Sequence, residues 1–434
     1  MKKLILLFAS TIFISFIAFT VNAQITNPIN TAKDKASDRT NDKIDNGIDK
    51  GLDKVEGVFK KKDKNGKDTS KTQTNKTSGN SSTSNSSTST NAGTTQVDLQ
   101  TYSKYDFIPG EKVIYYEDFS QDAIGDFPAL WNTNGTAEVV TTNLFSGHWV
   151  KFSMKHSAIW TDSILNLPDN YTIEFDIVPI NGEDNSMAGY DFRLIQSDNV
   201  KAYDWGAVPG KAGFLFSVEY FGRPGYRTYI NGDEGDGLGL DGSIDNESLY
   251  QNVNQKYHIA IWVQKSRIRL YQEQNKLIDL PKAFPVASVK MDRIRFEEGA
   301  AMVSNIRIAI GAPDMRSKLL TDGKIVSYGI YFDSGKDIVK GESNGSLKEI
   351  AAVLTENPTV KIKIVGHTDS DGGDALNLEL SKKRAAAVKV ALNKDFGIDN
   401  SRMETDGMGS SQPIAPNTTS EGKAKNRRVE FIKL

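Results

Sequence analysis

Two residues of opposite charge carry the chemistry most readily read from this chain. Asp369 stands in Gly366-His367-Thr368-Asp369-Ser370, where an apolar run gives way to a Gly/Asp-rich loop. Arg384 follows in Asn377-Leu378-Glu379-Leu380-Ser381-Lys382-Lys383-Arg384-Ala385. In a helix over 376–393, Leu376, Leu380, Val388 and Leu392 form an apolar row at spacing four, and Arg384 interrupts it. Asn377, seven residues earlier, lies almost directly above Arg384 on that face. A cation in the inner row of a helix needs a partner. Asp369 is the nearest candidate, because ligands favour the carboxyl ends of strands. Two readings stay open on these residues. One is an internal Asp369–Arg384 salt bridge. The other is a ligand carrying both groups, its carboxylate held bidentately by Arg384 and its ammonium by Asp369.

The elements that must position this pair alternate between strands and helices. A short strand at 330–333, a helix at 346–355, a strand at 360–365 and the helix at 376–393 come first. Strands at 402–405 and 429–432 follow, with a short helix near 421–425 between them. That alternation predicts an α/β fold. Asn417, Thr419 and Gly422 precede a closing Asn426-Arg427-Arg428-Val429. In order and spacing, these motifs resemble the OmpA-like C-terminal domain, the peptidoglycan-binding module of Gram-negative envelopes, over roughly 330–434. Lys423 stands where that family usually has Arg, and Met408 where an aromatic is common; both are expected to lie off the site.

The resemblance implies that Asp369 takes the ammonium and Arg384 the carboxylate of diaminopimelate in the wall peptide. It implies further lining by Thr368, Asn377 and Arg427, and by a segment at Phe332 and Asp333 whose backbone, through Gly335, supplies donors. A lysine-containing wall peptide lacks the second carboxylate and would leave Arg384 unpaired, so discrimination is expected. For Arg427 and Arg428, a solvated strand-end charge and a ligand contact are equally open readings. His367 has no Ser or Cys nucleophile motif beside it and reads as a satisfied loop histidine.

Upstream, over 111–311, the character changes. Short runs rich in Val, Ile, Phe, Tyr and Trp alternate with Gly/Asn/Asp turns, for example at 113–119, 149–154, 171–178, 214–220, 257–264, 267–272 and 305–310. Ile173, Phe175 and Ile177 share one face of a strand, and Thr172, Glu174 and Asp176 the other. Period-two alternation without helical patterning predicts an antiparallel β-sandwich. The run from Tyr257 to Val263, then Arg267 to Tyr271 and the turn to Asn275-Lys276, resembles the late strands of concanavalin-like (laminin-G-like) jelly rolls.

Some sandwiches of that class are glycosidases. Glu174-Phe175-Asp176-Ile177-Val178 resembles the opening of one such signature, E-x-D-x-x-E, but Pro179 occupies the place of the second Glu. A retaining mechanism needs two carboxyls about 5 Å apart, so the reading here is no catalytic residue and no enzyme. The alternative is a wall-anchored carbohydrate-active enzyme. The acidic loop through Asp233, Glu234, Asp236, Asp241 and Asp245 matches no calcium-loop spacing and reads as solvated turn acids. Most of Trp131, Trp149, Trp160, Trp205 and Trp262 read as core, Trp262 above all.

Lys2 and Lys3 precede an apolar run over 4–21, then Asn22, Ala23 and Gln24, the pattern of a cleaved export signal, although the run is long enough for a marginal spanning helix. Ile44, Ile48, Leu52, Val55 and Phe59 suggest an amphipathic helix weakened by Gly47, Gly51 and Gly57. Residues 60–98 are low-complexity Lys, Asn, Ser, Thr and Gly, a disordered tether spanning on the order of 35 Å.

The chain has 53 Lys and Arg against 55 Asp and Glu, a net charge of −2, which argues against a dedicated nucleic-acid binder. With no cysteine and four histidines, neither disulfides, thiolate sites nor a lipid-modified cysteine is available, and no metal site or cofactor is expected. The expected organisation is multidomain. A signal occupies 1–23, a charged segment and linker 24–98, an all-β antiparallel jelly-roll sandwich 99–315, and an α/β OmpA-like domain 320–434. The expected protein is exported to the periplasm and associated with the outer membrane, without a transmembrane span in its mature form. It binds peptidoglycan and presents its sandwich to a glycan or an envelope protein.

Overall fold

The computed structural model describes residues 105–153, 158–182, 187–197, 210–230, 239–284, 289–311 and 315–434. The export signal, the amphipathic segment, the linker, Trp205 and Asp233, Glu234 and Asp236 lie outside the described residues. Among the described residues, no helix is long and apolar enough to cross a membrane.

The β-rich part contains Lys112–Glu117 (β1), Trp131–Thr133 (β2), Ala137–Val140 (β3), Trp149–Ser153 (β4), Ala158–Thr161 (β5), Asn170–Pro179 (β6), Tyr190–Gln196 (β7) and Ala212–Val218 (β8). Pro224–Ile230 (β9), Asp241–Ser243 (β10), Tyr257–Gln264 (β11), Arg267–Gln272 (β12), Asn275–Leu280 (β13), Arg293–Glu297 (β14) and Ala300–Ile310 (β15) complete it. They form two antiparallel sheets. One runs β13-β12-β11-β6-β15-β4-β3 with β1 also paired to β15, and the other runs β10-β9-β8-β7-β14-β5-β2. The inner faces interdigitate through aromatics. Phe175 of β6 lies 4.8 Å from Phe192 of β7 and 5.2 Å from Phe296 of β14, ring centre to ring centre. Deleting a ring so enclosed costs about 3–5 kcal/mol.

The alternation read in β6 is present, but its second face is not left to water. Thr172, Glu174 and Asp176 are buried, and the segment before β1 crosses them. There Gly110 N–H donates to Thr172 Oγ1 at 3.0 Å. Tyr105 and Phe107 pack on Tyr271 at 5.5 and 5.4 Å. Trp262 corrects an expectation here. Ile259, Ile261 and Val263 point into the core, so Trp262, one residue out of phase, sits half-buried on the outer face. Arg269 lies 4.9 Å over its ring. The flanking residues made it look internal, and strand periodicity puts it outside.

The C-terminal part contains Lys324–Ser327 (β16), Asn344–Glu356 (α1), Ile362–His367 (β17), Asp374–Phe396 (α2), Met403–Gly409 (β18), Ser420–Asn426 (α3) and Val429–Lys433 (β19). The sheet order is β16-β19-β17-β18, with β17 and β18 parallel and the other pairs antiparallel. Leu347, Ile350 and Leu354 of α1 share a core with Ile364, Val388, Leu392 and Phe431. The strand expected at 330–333 is instead a single bridge between Phe332 and Val339, and the edge strand is β16. Gly397 in the left-handed region (φ 71) ends α2, donating to Asn393 and Leu392 carbonyls.

Candidate functional site

Helix α2 presents a different face to the sheet from the one its leucines suggest. Leu376 is exposed, Leu380 half-buried, and the inward row is Asn377, Ser381, Ala385, Val388 and Leu392. The reason is a close approach at Gly366 and Gly407. A Cβ on Gly366 would fall 2.3 Å from the Ser381 carbonyl oxygen, and one on Gly407 would fall 2.3 Å from the Lys382 amide nitrogen. Only small residues fit between backbones so near. The rotation puts Arg384 on the helix flank, half-buried, rather than in the inner row.

Asn377 is thereby buried under the loop that leaves β17. Its Nδ2 donates to the Asp369 carbonyl at 3.3 Å and the Asp371 carbonyl at 3.0 Å. Thr368 N–H donates to Gly409 O at 2.9 Å, and its hydroxyl to the Asp369 carbonyl at 2.8 Å. The Asp371 amide donates to Asp369 Oδ1 at 3.1 Å. These bonds fix a largely buried Asp369 whose second oxygen, Oδ2, accepts from Arg427 Nη1 at 2.6 Å. The salt bridge read as one alternative between Asp369 and Arg384 is therefore not formed. Asp369 pairs with Arg427.

Arg384 is held otherwise. Its Nε donates to the Lys336 carbonyl at 2.9 Å and its Nη2 to the Asp333 carbonyl at 3.2 Å. Its guanidinium carbon lies 4.8 Å over the Phe332 ring. The segment at 332–335 was expected to offer backbone donors; towards Arg384 it offers acceptors. Among the described residues, no carboxylate lies within ion-pair distance of Arg384. Burial lowers the Arg384 pKa, with the Asp369 charge acting in the other direction.

Thr368, Asp369, Asn377 and Arg427 thus form one group, and Phe332, Asp333 and Arg384 a second. Three further residues border the site. Lys423, expected to lie off it, pairs with Asp371 at 2.8 Å. Asn417 Oδ1 accepts from the Ser370 amide at 3.2 Å. Tyr116 of β1 accepts from Arg427 Nη2 at 2.8 Å, with the guanidinium 5.2 Å over its ring. Asn417 belonged to the closing motif, whereas no signal near Tyr116 marks it. Burial pushes the Tyr116 hydroxyl up to about 12, against Arg427, so it stays protonated.

The other residues singled out behave differently. His367 ends β17 buried rather than in a loop, with neither ring nitrogen hydrogen-bonded and Nε2 3.6 Å from Glu430 Oε2. Arg428 is no solvated charge. It is buried and donates to Glu430 at 2.8 Å. Glu174, 1% exposed, accepts from Arg307 at 2.6 Å and from the Tyr331 hydroxyl. His258 Nδ1 meets Asp176 at 2.8 Å, while its Nε2 lies 3.6 Å from Glu174. Both carboxylates weighed for glycoside cleavage are therefore enclosed and engaged with cations. Asp245 of the acidic loop pairs with Arg223 at 3.1 Å.

Residues 331–427 match the OmpA family. The probable lipoprotein YiaD of Escherichia coli is 46% identical over 102 residues, covering 24% of this chain and 46% of that protein. Outer membrane porin F of Pseudomonas fluorescens is 44% identical over 105 residues, covering 24% of this chain and 32% of the relative. The chain spans less than half the length of these two relatives. A solved peptidoglycan-associated lipoprotein from Burkholderia pseudomallei is 32% identical and covers 24% of this chain and 88% of its own, with a TM-score of 0.23.

Proposed function

We propose, from the OmpA family domain at residues 331–427, that this is a non-catalytic envelope protein that grips peptidoglycan by the ammonium and carboxylate of diaminopimelate. The observation that carries the reading is Arg384. Its guanidinium is oriented by two carbonyls and an aromatic face, yet among the described residues it has no anion of its own. A ligand carboxylate would complete it bidentately, and the same carbon's ammonium would reach towards Asp369. Thr368, Asn377 and Arg427 hold Asp369 in place, while Phe332 and Asp333 hold Arg384.

The rest of the chain fits the same proposal. Residues 1–23 are an export signal and 24–98 a charged segment and linker. Residues 99–315 are a concanavalin-like jelly roll that displays a surface to a glycan or envelope protein, and 320–434 form the wall-binding domain. Such a chain works in the periplasm at the outer membrane. Retention on purified wall sacculi tests the reading. Wild-type protein should sediment with the wall, and Asp369→Ala and Arg384→Ala should each stay in the supernatant. Equal retention of all three would overturn the site.

A further inference from the structure

The two halves of the proposed site are joined underneath by residues of the β-sandwich. At one half, Arg427 holds Asp369 and donates its other nitrogen to Tyr116. The Tyr116 hydroxyl donates in turn to Asn305 Oδ1 at 3.0 Å, and Asn305 Nδ2 donates to Asp176 Oδ2 at 2.9 Å. Asn305 sits in the left-handed region (φ 53) at an irregularity of β15 between Ser304 and Arg307, which places its amide between these partners. Asp176 then meets His258, and His258 lies between Asp176 and Glu174. Glu174 accepts from Tyr331, the residue beside the Phe332 that carries Arg384. Lys256 lies 3.9 Å from both Asp176 and Asp333. Each hydrogen bond in this path has a donor facing an acceptor; between His258 Nε2 and Glu174 the link is electrostatic, at 3.6 Å.

We infer that the sandwich is part of the ligand site's frame, and that Tyr116 is a positioning residue for the wall peptide's ammonium. The inference rests on the reading of Asp369 and Arg384 given above. Arg427 competes with the ligand's ammonium for Asp369 Oδ2. Tyr116 supplies a second acceptor and an aromatic face, which keep Arg427 to one side of the carboxylate. Without that hydroxyl, Arg427 turns more fully onto Asp369 and shields it. The ligand's carboxylate, at Arg384, is untouched by this competition.

The test is binding of a soluble diaminopimelate-containing wall tetrapeptide to the full chain, wild type against Tyr116→Phe. A second probe is the same peptide acetylated on the distal diaminopimelate nitrogen, which removes the charge that Asp369 would receive. Phenylalanine keeps the ring under Arg427 and removes only the hydroxyl. The variant should bind the free-amine peptide about tenfold or more weakly, the size of one hydrogen bond to a charged group. Its affinity for the acetylated peptide should equal wild type's. Equal affinity of both proteins for the free-amine peptide would overturn the role of Tyr116 while leaving the wall-binding reading intact. Equal weakening for both peptides would show general damage to the domain and overturn it too. Wild-type protein that does not distinguish the two peptides would remove the reading beneath it, and the inference with it.

Discussion

Two clusters of acids and cations lie close together in this molecule, and only one of them is closed. In the first, beneath the C-terminal elements, Glu174 and Asp176 face Arg307 and His258, two buried anions against two buried cations, with the more exposed Lys256 3.9 Å from Asp176. In the second, Asp369 faces Arg427, while Arg384 beside them rests on carbonyls and a ring. The residue types are nearly the same, but the second cluster carries one more cation than anion in direct contact. A balanced buried cluster joins parts of a fold. An unbalanced one at the surface is, on the function proposed above, left open for a ligand.

That contrast can be broken at either cluster. Glu174→Ala should have the largest effect, because it leaves Arg307 buried without its anion and His258 with Asp176 alone. A loss of about 3–5 kcal/mol in unfolding free energy, measured in urea, is the cost of breaking such a pair. Arg384→Ala, which loses two hydrogen bonds to carbonyls and a ring contact on a half-buried flank, should cost about 1–2 kcal/mol, well below the Glu174→Ala loss. Its affinity for diaminopimelate wall peptide should drop by a factor of about 30 or more, read by calorimetry. A stable Glu174→Ala, or an Arg384→Ala as destabilised as Glu174→Ala, would reverse the assignment of the two clusters.

The closed cluster also sets a pH dependence. Burial opposes the charge of His258, but Asp176 and Glu174 raise its pKa from 6.5 to about 10. A raised value contributes stability fully below 6.5 and loses it as the pH climbs through about 10. Burial likewise opposes ionisation of Glu174 and Asp176. Arg307 and His258 hold Glu174 below 4.5, and His258 and Lys256 hold Asp176 below 3.8, so their contributions fade in acid. Thermal unfolding should therefore peak between roughly pH 5 and 6.5 and decline towards pH 10. His258→Gln should flatten the alkaline decline. An unchanged slope would detach His258 from the cluster's stability. The smallest effect is expected at Phe332→Ala, which removes only the ring under Arg384. Wall-peptide affinity should fall about two- to tenfold with stability nearly unchanged, the scale of one cation–π contact.

The site was legible in the sequence wherever chemistry was local. The Thr368-Asp369 loop, Asn377 and Arg384 follow one another within twenty residues, and strand-to-helix geometry brings them together. The face of α2 was misread because apolar spacing is a guide only where side chains make the contact. Here glycine backbones press on Ser381 and Asn377, so small and polar residues face inward and leucines face out. Tyr116 and Asn305 were not legible at all. Their place depends on which face of β1 and β15 the C-terminal elements cover, and no pattern within either strand encodes that. For the same reason nothing in the sequence marked the Glu174 face as a buried joint. The β-rich part was legible as alternating strands, and Trp262 shows the limit of reading burial from neighbours alone.

The site assignment is tested most directly by comparing diaminopimelate-type and lysine-type wall peptides for binding to wild-type protein and Arg384→Ala. Wild type should prefer the diaminopimelate peptide by about tenfold or more, since only that peptide brings the second carboxylate. The variant should bind both weakly and alike. A wild-type protein that binds the two peptides equally would contradict the claim that Arg384 awaits a ligand carboxylate.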